Sequence, residues 1–115
     1  MLLKEIKIEF ELLNQKYITR LDNIVNQLDT IPEGEVIQLI TEGKASFEYL
    51  MGQANAIGEE MQDGIYLKDV QYRLLDGLFL WSDLYNYYQE KLLDRFKLRF
   101  MNYVKKDSVS KLIMK

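Results

Sequence analysis

Apolar side chains recur at steps of three and four along almost the whole chain. Leu3, Ile6, Phe10, Leu13, Tyr17, Leu21, Ile24 and Leu28 form a first series. Val36, Ile40, Phe47, Leu50, Ala54, Ile57 and Met61 form a second, with one step of seven where Gly43 interrupts it. This is the rhythm of helices that lie side by side and bury one stripe each. The first helix is predicted over 2–28, stopping at Asp29-Thr30-Ile31-Pro32, because a proline disfavours helical geometry at the residue before it. Pro32 suits the first turn of a second helix over 32–61, with Thr30 as its cap and Glu33 and Glu35 at the positive end of its dipole. Gly43, Gly52 and Gly58 weaken that helix. The stretch from Met51 to Gly58 reads as a smooth surface for close backbone approach by a partner, as tight packing on a neighbouring helix, or as a break between two shorter helices.

Gln62-Asp63-Gly64 is a turn signal, and a third helix is predicted over 66–105 with no proline to stop it. At 1.5 Å per residue it would be roughly 60 Å long, against roughly 40 Å for the other two, so one end must overhang, bend or meet another subunit. Its main stripe holds Leu67, Val70, Leu74, Leu78, Trp81, Tyr85, Tyr88, Leu92, Phe96, Phe100 and Tyr103. Leu75, Phe79, Leu80, Leu84 and Tyr87 add apolar surface on other sides. A helix so apolar is expected at the centre of its bundle or in a dimer interface, with Leu74, Leu78, Trp81, Tyr85, Tyr88 and Leu92 as its core or oligomer face.

The polar strip that survives on this helix is periodic. Asp69, Asp76, Asp83 and Glu90 stand seven residues apart, and the next member, Lys97, reverses the sign. Such an acidic stripe is either a solvated outer face or a dock for a basic partner, including the basic end of a second copy lying antiparallel. The basic end is pronounced: eight lysines and arginines against two acids from Lys91 onward leave a local excess of six positive charges, within a chain whose net charge is −3. Lys91, Arg95, Arg99, Lys105 and Lys106 cluster on one flank beside Phe96, Phe100 and Tyr103. Basic residues interleaved with aromatics suit an acidic protein surface or a phosphate backbone with stacked bases. Overall negative charge opposes indiscriminate nucleic-acid binding. Lys105-Lys106-Asp107-Ser108 reads as a helix end and a new cap. The chain therefore divides into a helical domain over 1–106 and a short basic tail over 107–115, with Val109, Leu112 and Ile113 on one side of the tail.

Composition narrows the chemistry. The 115 residues make about one domain, and 48% apolar content is enough for a core without metal or disulfide support. Cysteine and histidine are both absent. That removes thiolate and imidazole nucleophiles, bases and metal ligands, and leaves only carboxylate, lysine, tyrosine or arginine chemistry. Glu59, Glu60 and Asp63 are similar to the acidic pairs with which all-α nucleotide pyrophosphatases hold magnesium. The upstream Glu-x-x-Glu partner motif is missing, so no metal, cofactor or catalytic residue is assigned. In size, and in the spacing of Tyr103 and Asp107, the chain resembles the small secreted helical hairpins of type VII secretion. Trp81-Ser82-Asp83 departs from their Trp-x-Gly turn, and no family is assigned. No targeting signal or membrane span is evident. The reading is an all-α, coiled-coil-like bundle of three long helices, soluble, cytoplasmic and homodimeric. Its expected role is a non-catalytic protein-interaction or regulatory module, and the alternative is a nucleic-acid-binding regulator.

Overall fold

The computed structural model describes the backbone of residues 1–58 and 60–113, and side chains to Val109 apart from Glu59. Glu59, Lys115 and the side chains of Lys111, Leu112 and Ile113 lie outside it. Among the described residues the fold is all-helical apart from one short hairpin: α1 (Leu3–Ile24), α2 (Glu33–Asn55), β1 (Met61–Gln62), β2 (Ile65–Tyr66), α3 (Leu67–Gln89) and α4 (Leu93–Ile113). There are four helices rather than three, because the expected third helix breaks after Gln89 and folds back as α4. That break resolves the overhang which the length mismatch demanded, and the molecule measures 45 × 25 × 19 Å. None of these helices is long and apolar enough to cross a membrane.

Capping chemistry sets the boundaries. The Leu2 amide donates to the Glu5 carboxylate at 2.8 Å and the Leu3 amide to Gln62 Oε1 at 2.8 Å, so the hairpin helps close the start of α1. Pro32 takes the cap position of α2 itself, with φ −53° and ψ 133°. Thr30 is not the cap, since its hydroxyl donates back to the Gln27 carbonyl. α2 passes unbroken through Gly43 and Gly52 and ends at Asn55, short of the expected Met61. Asp63 and Gly64 have φ of 51° and 78° between two antiparallel strands, the left-handed pair that a two-residue hairpin turn requires. At the other end, α4 runs straight through Lys105 to Ser108, where a helix end was expected.

α3 is the central element, packed on α2 along one face and on α4 along another. Its inner face meets a ring of aromatics: Phe10–Phe47, Tyr17–Trp81 and Phe47–Trp81 have centroids 5.5, 5.4 and 5.9 Å apart. Two glycines make this possible. A Cβ on Gly43 would run into the Trp81 indole, and one on Gly77 into the Phe47 ring. The step of seven in the second apolar series is the notch that receives Trp81.

Candidate functional site

The residues singled out on the third helix divide by position. Leu74 and Trp81 are fully buried inside the single chain, so they form core rather than an oligomer face. Leu78, Tyr88 and Leu92 are half-buried. Tyr85 leaves the stripe and is 43% exposed, whereas Leu84 and Leu80, expected on other sides, are buried. Helical wrapping around α2 accounts for the exchange, because the 3.6-residue turn drifts away from a strict seven-residue repeat.

The acidic stripe and the basic end meet each other along the α3–α4 seam. Arg99 Nε donates to Asp83 Oδ2 at 2.8 Å, and Lys106 Nζ to Asp76 Oδ1 at 3.1 Å. Both pairs advance by seven residues in opposite directions, as antiparallel helices must. Asp69 and Glu90, at the two ends of the series, are exposed, as are Lys91, Arg95 and Lys105. Lys91 is not part of a helical flank, since it forms the turn between α3 and α4.

Behind this seam lies a buried polar cluster that composition and periodicity did not announce. Asn14, 1% exposed, donates from Nδ2 to Asp107 Oδ1 at 2.9 Å and accepts the Tyr103 hydroxyl at 2.7 Å. Arg73 donates to Asp107 Oδ1 at 2.9 Å, forms an ion pair with Glu11, and lies 4.7 Å over the Phe10 ring. Burial pulls the Arg73 guanidinium down, but its hydrogen bonds to Glu11 and Asp107 and their charges outweigh that and raise it. Burial, reinforced by the Asp107 and Asp76 charges, pushes the Tyr103 phenol far above the ordinary tyrosine range. Tyr103 and Asp107 therefore owe their four-residue spacing to an internal contact. The one available signal was Asn14, a polar residue four after Phe10 and three before Tyr17, on the buried side of α1.

The remaining surface is uneven. Tyr72, Leu75 and Phe79 are 74%, 41% and 56% exposed, and their spacing of three and four aligns them on the outer face of α3. Tyr72 escaped notice in the sequence because no apolar series ran through it. A groove of about 780 Å³ between α2 and α3 is lined by Ile40, Lys44, Glu48, Tyr49, Trp81 and Tyr85. The Trp81 indole N–H, buried below it, meets no acceptor among the described residues. Glu60 pairs with Lys68 at 3.6 Å, Asp63 belongs to the hairpin turn, and no group of three acidic side chains converges on a metal-sized space among the described residues.

The fold thus defines a small four-helix protein with a charge-matched seam and an exposed apolar stripe on α3. Comparison with protein-family models, with curated proteins and with solved structures finds no match to the chain.

Proposed function

We propose that the protein is a non-catalytic interaction module that binds another protein, or a second copy of itself, through the outer face of α3. The observation that carries this reading is the exposed stripe of Tyr72, Leu75 and Phe79. Aligned aromatic and aliphatic side chains in water are the usual anchors of protein interfaces, since they bury much area at little conformational cost. The absence of histidine and cysteine from the sequence supports the non-catalytic part. A nucleic-acid-binding role finds less support. Arg99 and Lys106 are already engaged by Asp83 and Asp76, which leaves Lys91, Arg95 and Lys105 as the exposed members of the five proposed contacts outside those ion pairs and brings acids close to the same flank.

Light scattering behind size-exclusion chromatography, run from low to high micromolar concentration, tests self-association through this face. The native chain should shift toward a dimer with concentration, and Tyr72→Ser with Phe79→Ser should hold it monomeric without loss of helicity. A native chain that stays monomeric throughout removes the homodimer. Salt-sensitive binding of labelled RNA or DNA by that monomer would favour the basic flank instead.

A further inference from the structure

The turn between α3 and α4 is a helix stop composed of helix-forming residues. Gln89, Glu90, Lys91 and Leu92 include no glycine and no proline, and all four favour helix. One residue makes the break: Lys91 sits at φ 59°, in the left-handed region that glycine usually occupies at this point of a helix terminus. The Lys91 amide donates to the Tyr88 carbonyl at 3.1 Å and the Leu92 amide to the Tyr87 carbonyl at 2.8 Å, the paired bonds of a Schellman stop. The sequence on either side does not register the stop. The apolar series Tyr85, Tyr88, Leu92, Phe96 and the heptad series Asp76, Asp83, Glu90, Lys97 both cross it in phase. Local sequence encodes one helix here, and only the docking of α4 on α3 bends it, a conflict between local and global preference concentrated in one lysine.

The contacts that hold α4 do not depend on the turn. Arg99 and Asp83 each lie eight residues from Lys91, and Lys106 and Asp76 each lie fifteen from it. If the turn straightened, two copies of the resulting helix, lying antiparallel with their Lys91 residues opposed, would bring the same partners together between chains.

We infer that the α3–α4 seam is also an interface between copies: Lys91 enters helical geometry, α3 and α4 become one helix, and α4 of each chain docks on α3 of the other. The occupant of the seam is then a second copy of this chain. Charge complementarity selects it, because α4 brings Arg99 and Lys106 to Asp83 and Asp76 in one antiparallel register. Exchange of an identical element keeps the contacts of the seam, gives up the two turn hydrogen bonds for helical ones, relieves two left-handed lysines per dimer, and is opposed mainly by the entropy of association, so its share rises with concentration.

The absence of cysteine makes a direct test possible. Asp83→Cys with Arg99→Cys in the full chain places one thiol on each side of the seam. Oxidation then closes it within one chain or between two, which a non-reducing denaturing gel separates. Refolding before oxidation, at low and high concentration, should give an interchain product that grows with concentration. That product should rise with Lys91→Ile, whose branched side chain resists the left-handed region, and fall about tenfold with Lys91→Gly, which accepts it. Closure within the chain at every concentration, for the native, isoleucine and glycine turns alike, overturns the inference. So does an interchain product indifferent to residue 91. A dimer seen by light scattering whose seams still close within each chain would support the outer stripe as the interface and overturn exchange, so the two readings fail separately. Should the isoleucine variant not fold, the comparison of native and glycine turns decides alone.

Discussion

α3 is held on its two sides by different mixtures of shape and charge. Toward α1 and α2 it is fixed by shape: Trp81 lies in the notch left by Gly43, Phe47 in the one left by Gly77, and no hydrogen bond fixes the indole nitrogen among the described residues. Toward α4 buried Phe96 and Phe100 are joined by a register of charges and hydrogen bonds, through Arg73–Asp107, Arg99–Asp83 and Lys106–Asp76. Shape complementarity with a glycine notch admits one partner surface and tolerates almost no substitution. A register of ion pairs is graded, responds to pH and salt, and can be remade by any helix carrying the same spacing. The first side makes the fold and the second sets which helix occupies it.

Removing the indole should give the largest effect. Trp81→Ala is expected to cost about 3–5 kcal/mol, the range for emptying a large aromatic site in a packed core. Gly43→Ala, which overfills the same notch, should cost about 1–3 kcal/mol. Urea denaturation followed by circular dichroism measures both, since the only tryptophan is altered in one of them. A Gly43→Ala chain as stable as the native one would mean that the ring is free to move aside and that shape does not fix this side.

Next in size is the anchor beneath the charged seam. Asp107→Ala leaves the Asn14 amide without its acceptor, and leaves Arg73, whose side chain is 9% exposed, with Glu11 as its remaining carboxylate partner. Losing one of two carboxylates on a buried cation, and an amide's acceptor with it, costs about 1–3 kcal/mol, readable in the same denaturation curves. Asp107→Ala together with Arg73→Met should recover part of that loss. No recovery would place the importance of Asp107 elsewhere than in the pair.

The division between shape and charge also marks what could be read from the sequence. The apolar series of α1 and α2 predicted most of the buried residues because shape packing is periodic, though it took in the exposed Met61 and passed over the buried Leu39, and even the gap at Gly43 carried meaning. The all-helical class followed from that periodicity alone. The break at Lys91 left no such trace, since it arises from α4 docking against α3 and runs contrary to local helix preference. The Asn14–Asp107–Tyr103 cluster joins residues about ninety positions apart, a coincidence of folding that no spacing rule contains. Of the acids and bases singled out as possible contacts, Asp76 and Asp83 meet Lys106 and Arg99. Their pairing inside one chain required the bend.

Alkaline pH offers a further test of the polar side. The folded Tyr103 phenol titrates well above its unfolded counterpart, so the fold favours the neutral form. Its contribution is complete below about pH 10, where both states are protonated, and is lost as pH rises further because the unfolded phenol ionises first. Stability should then fall by about 1.4 kcal/mol per pH unit for this one group. Tyr103→Phe should lower stability at neutral pH by about 1–2 kcal/mol, by leaving the Asn14 carbonyl oxygen unsatisfied, yet flatten the alkaline slope. An unchanged slope in that variant would show that another group, such as Tyr88, whose phenol burial also raises, governs the alkaline limit.

The smallest effect belongs to the ion pairs nearest water, and it separates stability from partner choice. Asp83 is 43% exposed and Lys106 62% exposed, so solvent screens much of their attraction. Arg99→Gln should cost less than about 1 kcal/mol, and that loss should shrink in high salt. Arg99→Asp with Lys106→Asp is a sharper form of the same question, because it replaces attraction by repulsion at both points of the register. Mixed with a chain carrying Asp76→Lys and Asp83→Lys, it should recover helicity lost by either alone, since each α4 then finds its complement on the other chain's α3. If both variants are as stable alone as the native protein, the charges of the seam ride on a docking that apolar contacts decide. Register would then belong to shape on both sides of α3.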